Sequence, residues 1–441
     1  MNINNKQYLL SYLKKRLIPN IDNKDNKGEV FTSIECIEHI LEKLNKHYKN
    51  KHGICIFSNK NLRWLDPSSG IGNFMIIIYY KLMDGLNSII PDEEERHNHI
   101  LNNMLYFSEL SKDNVEETIS IFNHDININN GNSLELNIYG KWNIEKMDIV
   151  IGNPPFNEKR NKTGNNNKWS EFITYYFPII NDSGYMCYIT PPSWMSPACK
   201  YKDIFYDNNL VYLNVNECRK YFEHVASQFT IFIINKNLNK EKTEIICKYK
   251  NSIYNSNILL NNIKYIPLLS NKDTFNIINK FYNNNLEKIS FKTSCQLHNS
   301  IKKLYLSDIN DKEFIYPVKH LINKIRYSSI KHDLTDKNKI LMNLSSSLKP
   351  TYDDGKYGIT QAQLYYLTND ETYVNILKSD VYTFIFKISR WAGFNIKQVF
   401  ENIPYIKHRK NTNLYKKFNL NENEIKLIKE YVIKHKERDE G

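Results

Sequence analysis

Between Asn61 and Asn235 short apolar runs alternate with helix-length stretches, and this alternation limits the fold more than any other feature. Strand-like runs end at Asp66 (NLRWLDP), near Glu109 (MLYFSEL) and at Ile151 (KMDIVI), and two more follow in GYMCYITP and FTIFIIN. Helical patterns lie between them in NFMIIIYYKLMDGL, DNVEETISIF, FITYYFPII and KDIFYDNNL. A βαβα order predicts a doubly wound, mostly parallel sheet, whose ligand sits beyond the carboxyl ends of the strands. Ahead of it Ile34, Ile37, Ile40, Leu41 and Leu44 fall near helical spacing, with Thr32 or Ser33 as N-cap. After Asn235 the alternation stops. ETYVNILKSDVYTFIFKISRWA and the terminal NENEIKLIKEYVIKHKERDE look helical among short strands and polar loops. The expected division is therefore 1–245 and 246–441.

Charge divides along the same line. Residues 1–235 carry 25 Lys and Arg against 27 Asp and Glu, whereas residues 236–441 carry 35 against 21. A basic half beside a near-neutral one points to a polyanion partner, because phosphate neutralisation drives most non-specific nucleic-acid binding. Lys407, His408, Arg409 and Lys410 form its densest cluster, and Arg326, Lys349, Gln361, Gln363, Arg390 and Trp391 are further candidates. The seven cysteines are scattered, with no Cys-x-x-Cys pair, so neither a metal site nor a disulfide framework is expected. No signal-peptide core and no run of about 18 apolar residues occurs, so an intracellular protein without membrane segments is expected.

Two segments carry the chemistry. Asp66, Pro67, Ser68, Ser69, Gly70, Ile71 and Gly72 follow a strand and open a helix. Glycines there let the backbone turn sharply and approach a ligand closely. Glu109, at the end of the next strand, can accept hydrogen bonds from ribose hydroxyls, although an ordinary turn beside a surface glutamate would read the same. The loop lacks Gly-Lys-Ser/Thr and a third glycine, which favours a nucleoside without pyrophosphate.

In the second segment a buried strand ends in Asn153, Pro154, Pro155 and Phe156. The prolines stiffen the turn and remove two donors, leaving acceptors. The Asn153 side-chain oxygen and the Pro154 carbonyl suit an exocyclic amine on a planar ring, and Phe156 can stack on that ring. A base inside a duplex would have to be flipped out to reach them. Lys159, Arg160, Lys162 and Lys168 follow directly, in a polar loop suited to phosphates.

On these residues the chain resembles the gamma-type adenine-N6 DNA methyltransferases of restriction–modification systems and viruses, over about residues 27–235. Gly28, Glu29, Val30, Phe31 and Thr32 resemble the family's first cofactor motif, Asp66 to Phe74 its glycine loop, and Asn153 to Phe156 its catalytic tetrad. The run from Ser183 to Pro191 resembles a later supporting strand, and Phe222 an aromatic that packs on the flipped base. Two positions depart from the pattern: Ser33 stands where proline is usual, and Asn132 where aspartate is usual.

The resemblance implies a Rossmann-like class I methyltransferase domain followed by an α+β DNA-recognition domain. It implies S-adenosylmethionine (AdoMet) as cofactor, held by Thr32, Asp66, Pro67, Ser68, Gly70, Gly72, Glu109 and Asn132. Double-stranded DNA is the expected partner, contacted through Phe222, Lys159, Arg160 and Arg409. Transfer is expected to be direct, without metal, by a monomer that shares its site with a cognate restriction endonuclease. An RNA adenine methyltransferase and a non-catalytic AdoMet-binding specificity subunit are the competing readings. A glutamine-directed enzyme would not need the basic half, and, with the cofactor motif so near the first residue, no N-terminal nuclease is expected.

Overall fold

The computed structural model describes residues 2–16, 32–156, 167–222, 228–261, 263–321, 323–344, 347–391 and 395–439. They form two compact units, one of residues 1–192 with 200–261, the other of residues 193–199 with 262–441.

The first unit is built on nine strands: β1 (Trp64–Asp66), β2 (Leu105–Glu109), β3 (Asn127–Asn130), β4 (Met147–Gly152), β5 (Ile180–Thr190), β6 (Asn209–Asn214), β7 (Thr230–Asn235), β8 (Thr243–Tyr249) and β9 (Ser252–Ile258). Their order in the sheet is β3-β2-β1-β4-β5-β7-β6-β8-β9. Strands β3 to β5 of that order are parallel, as the alternation predicts. Strand β7 then runs antiparallel between β5 and β6, and β9 closes the edge antiparallel to β8, so the sheet is mixed. The β4 run MDIVIG is buried at every position but Asp148, as a central parallel strand is.

The chain winds from β1 through β2 to β3 on one side, then returns to lay β4 and β5 on the other. The carboxyl ends of β1 and β4 therefore adjoin where the winding reverses, which is where open α/β sheets bind ligands. Two helices frame that point. Asn73–Gly85 is apolar on nearly every side and buried. Ile34–His52 is capped by Ser33, whose hydroxyl accepts the Cys36 N–H, and it ends on Gly53 at φ 75°.

Several expectations need correction. The division at 245/246 would cut through β8, because the period-two strands β8 and β9 extend the first sheet to residue 261. The helix read across FITYYFPII stops at Tyr176, before Pro178, and Ile180 already begins β5. The helix read across KDIFYDNNL stops at Asp207, and Asn209 and Leu210 begin β6. The helix Glu93–Asn103, capped by Asp92, is an addition.

The second unit is α+β. Two four-stranded sheets and a two-stranded ladder lie with the helices Lys272–Tyr282, Asp380–Lys387 and Glu422–Asp439. Phe281 packs edge-on against Tyr382 and beside Phe418 at its centre. No helix among the described residues is long and apolar enough to cross a membrane.

Candidate functional site

The glycine loop leaves β1 at Asp66, whose Oδ1 accepts the Ser68 N–H at 3.0 Å. Gly70 and Gly72 stand at φ 56° and 87°, where a side chain would be strained. The loop is tied to the end of β2: Glu109 accepts the Gly70 N–H at 2.9 Å with one oxygen and the Ser111 N–H at 2.8 Å with the other. Glu109 thus stands beside the loop and ties it to the end of β2. Asp66 is fully buried; burial pushes its carboxyl up to about 7, and the Glu109 charge adds to the rise. Pro67 is buried and Ser68 half-buried, so the loop presents backbone rather than side chains.

The second turn leaves β4 one strand away. A Cβ on Gly152 would stand 2.6 Å from Asp66 Oδ1, so glycine is required where the two strand ends meet. Asn153, directly after it, is half-buried and donates from Nδ2 to the Thr32 hydroxyl at 3.2 Å. The Thr32 carbonyl in turn accepts from Asn73 Nδ2 at 3.2 Å. Pro154 is buried, Pro155 exposed and Phe156 half-buried. Phe156 lies 5.3 Å from the Phe229 ring at a 47° tilt, and Phe229 stacks on Phe222 at 4.5 Å. Thr32, Asp66, Gly70, Gly72, Glu109 and Asn153 are therefore held in one hydrogen-bonded and packed neighbourhood around the ends of β1, β2 and β4. Asn73 fell within the glycine-loop run Asp66 to Phe74 but was given no role of its own, and Phe229 was not singled out, although an aromatic directly before a strand could have been flagged.

Asn132 is exposed and caps the turn Ser133–Glu135, its Oδ1 accepting the Leu134 N–H at 3.1 Å and its Nδ2 donating to Glu135 at 2.7 Å. In β5, Gly184 faces the Asp148 carbonyl, 2.6 Å from where a Cβ would stand, and the Thr190 hydroxyl is buried against Thr230. Gly28, Glu29, Val30 and Phe31, and likewise Lys159, Arg160 and Lys162, lie outside the described residues.

In the second unit Arg409 is exposed between exposed Lys407 and Lys410, half-buried His408 beside them. Arg326 is turned inward instead, 2.7 Å from Asp308 and bonded to Asn299 and the Leu306 carbonyl. Gln363 is buried and donates to Asn343 and the His320 carbonyl, and the Trp391 indole donates to the Ile266 carbonyl. These three, candidates for nucleic-acid contact by residue type alone, are structural parts of the unit.

Residues 86–222 match the model of the Eco57I restriction-modification methylase family. That span includes Glu109, Asn132, the Asn153–Phe156 turn and Phe222. A segment of 99 residues is 38% identical to an uncharacterized adenine-specific methylase of Mycoplasma pneumoniae, covering 22% of this chain and 22% of that protein. Among solved structures, the Type IIL restriction-modification enzyme MmeI in complex with DNA superposes with a TM-score of 0.52 at 12% identity, covering 90% of this chain and 69% of MmeI. The ATP-dependent Type ISP restriction-modification enzyme LlaBIII bound to DNA gives 0.53 at 12% identity, over 93% of this chain and 40% of LlaBIII. A nuclease-deletion mutant of the Type ISP enzyme LlaGI gives 0.53 at 13% identity, over 87% of this chain and 46% of LlaGI. The chain shares its fold with these restriction-modification enzymes and spans less than half the length of the two Type ISP chains.

Proposed function

We propose that this chain is an AdoMet-dependent DNA methyltransferase acting on N6 of an adenine flipped out of the duplex. The observation that carries the reading is the placement of Asn153, bonded to Thr32 and one strand from the Asp66–Gly72 loop, at the reversal point of the sheet. The match of residues 86–222 to a methylase family supports it, as does the adenine-specific methylase similar over 99 residues. The basic second half and the DNA-bound state of the neighbouring folds support DNA as substrate.

The residues present fit the cofactor. Two positive-φ glycines make a cradle of bare backbone, and Glu109 offers acceptor oxygens beside it. Bound AdoMet would supply a methyl group on a sulfonium, an electrophile that needs no metal. Glu109 would hold the ribose hydroxyls and Thr32 the methionine end. Asn153 Oδ1 and the Pro154 carbonyl would accept the two N6 hydrogens, aiming the nitrogen lone pair at the methyl carbon. Phe156, backed by Phe229, would stack on the base. The rate would come mainly from positioning. The product amine is cationic and releases its proton to water.

The test is transfer of tritiated methyl to double-stranded DNA, single-stranded DNA, RNA and protein, with Asn153→Ala as control. Label on double-stranded DNA that is lost in the control supports the reading. Label on RNA alone overturns the substrate, and label that survives the control overturns the site. Sequencing the modified DNA would then give its recognition sequence and show whether a restriction endonuclease cuts there.

A further inference from the structure

We propose that Asn73 is a positioning residue for the methyl transfer, holding Thr32 and through it Asn153. The inference rests on the methyltransferase reading above. Asn73 opens a helix whose next six residues, Phe74 to Tyr79, are all apolar and buried. It is itself only 6% exposed. A buried amide is costly unless its groups are bonded. The Asn73 Oδ1 finds no donor among the described residues, so the position keeps a polar group at a cost an alanine would not bear.

The retained bond is therefore informative. Asn73 Nδ2 donates to the Thr32 carbonyl, and the Thr32 hydroxyl receives Asn153 Nδ2, each at 3.2 Å. Thr32 is 4% exposed and stands just before the helix Ile34–His52. One residue thus joins the segment after the glycine loop, the segment before that helix and the turn after β4. Gly72, at φ 87°, immediately precedes Asn73, so a shift of the glycine loop is passed to Thr32 and to the amide that grips the amine. A purely structural amide would steady the loop alone; this one is aimed at the residue that orients Asn153.

The experiment compares wild type, Asn73→Ala, Thr32→Val and the double variant in steady-state methyl transfer, with AdoMet binding measured by calorimetry and folding by circular dichroism. Asn73→Ser replaces Asn73→Ala if the alanine variant does not fold. Asn73→Ala is expected to lower kcat about ten- to a hundredfold, as misplacement by up to an ångström does, with AdoMet affinity changed less than about threefold. In the Thr32→Val background, where the hydroxyl link is already cut, the same change should cost less than about twofold more. Losses that multiply independently, or a fall in AdoMet affinity that accounts for the whole effect, overturn the relay. A wild-type chain that labels no nucleic acid overturns the methyltransferase reading and this inference together. Wild-type transfer with a fully active Asn73→Ala overturns this inference alone.

Discussion

The side-chain amide of Asn153 donates to the hydroxyl of Thr32 across 3.2 Å, although 121 positions separate them in the chain. If that bond orients an amine-gripping oxygen, Asn153→Ala should abolish methyl transfer while leaving AdoMet affinity within about threefold. Asn153→Asp should keep a trace of activity, because an acceptor remains but its charge is poorly matched to a buried turn. Full AdoMet affinity with no transfer in the alanine variant is the pattern to look for. Loss of both together would make Asn153 a part of the cofactor cradle instead.

Gly152 has no room for a side chain. A methyl there meets Asp66 Oδ1 at 2.6 Å and Asp66 Cγ at 3.2 Å. Gly152→Ala should therefore force apart the ends of β1 and β4, at a cost of about 1–3 kcal/mol, the usual penalty for overpacking. Urea unfolding reads the stability, and the same protein should lose methyl transfer through displacement of Asn153. An alanine variant with unchanged midpoint would mean that the strand ends are looser than this contact requires.

Asp66 ties stability to pH. Its carboxyl rises from 3.8 to about 7 on folding, chiefly because burial disfavours the charge. Between those values the native chain binds a proton that the unfolded chain has released, so stability present below pH 4 is lost as the pH climbs through 7. A shift of about three units corresponds to at most about 4 kcal/mol. Asp66→Asn keeps an oxygen for the Ser68 N–H and removes the charge. It should raise the unfolding free energy at pH 8 and leave it nearly unchanged at pH 4. An equal effect at both values would exclude titration of Asp66 as the cause.

Glu109 gives a cleaner separation of binding from chemistry. Its two oxygens already accept from Gly70 and Ser111, and the ribose hydroxyls would use the remaining lone pairs. Glu109→Gln removes the charge and turns one acceptor into a donor. AdoMet should bind about ten- to a hundredfold more weakly, the worth of a charged hydrogen bond at about 1.5–3 kcal/mol. At saturating AdoMet, kcat should stay within a few-fold of wild type. A loss confined to kcat would place Glu109 at the reacting atoms rather than at the ribose.

What the sequence discloses about this fold is what local chemistry dictates. Asp66, Glu109 and Asn153 could be placed because each ends a run of apolar residues and stands beside glycine, serine or proline, a pattern that parallel strands and their turns impose. The helix Glu93–Asn103 was overlooked because only Arg96, Ile100 and Leu101 are buried along it, and Arg96 turns its guanidinium to the carbonyls of Ile90 and Pro91 rather than adding to an apolar face. Strands β8 and β9 show period-two patterns, but they follow the point where the βα alternation stops, so the expected division at 245/246 runs through β8. Asn73 bonds to Thr32, 41 positions earlier, and Phe229 packs on Phe156, 73 positions earlier, and no short window of sequence contains both halves of either contact.

The same limit separates Arg409 from Arg326, and a salt titration can tell them apart. Both are arginines in the basic half, equal as phosphate candidates by composition. Arg409 is exposed beside Lys407 and Lys410, whereas Arg326 spends its guanidinium on Asp308, Asn299 and the Leu306 carbonyl. If the cluster meets DNA phosphate, Arg409→Ala should weaken binding to all sequences alike. It should also make the slope of log K against log salt shallower by about 1, the release of one counterion. Arg326→Ala should leave that slope alone and lower the melting temperature by a few degrees, as lost internal hydrogen bonds do. The reverse assignment, a changed slope for Arg326 and an unchanged one for Arg409, would mean that the second unit meets DNA by a different face.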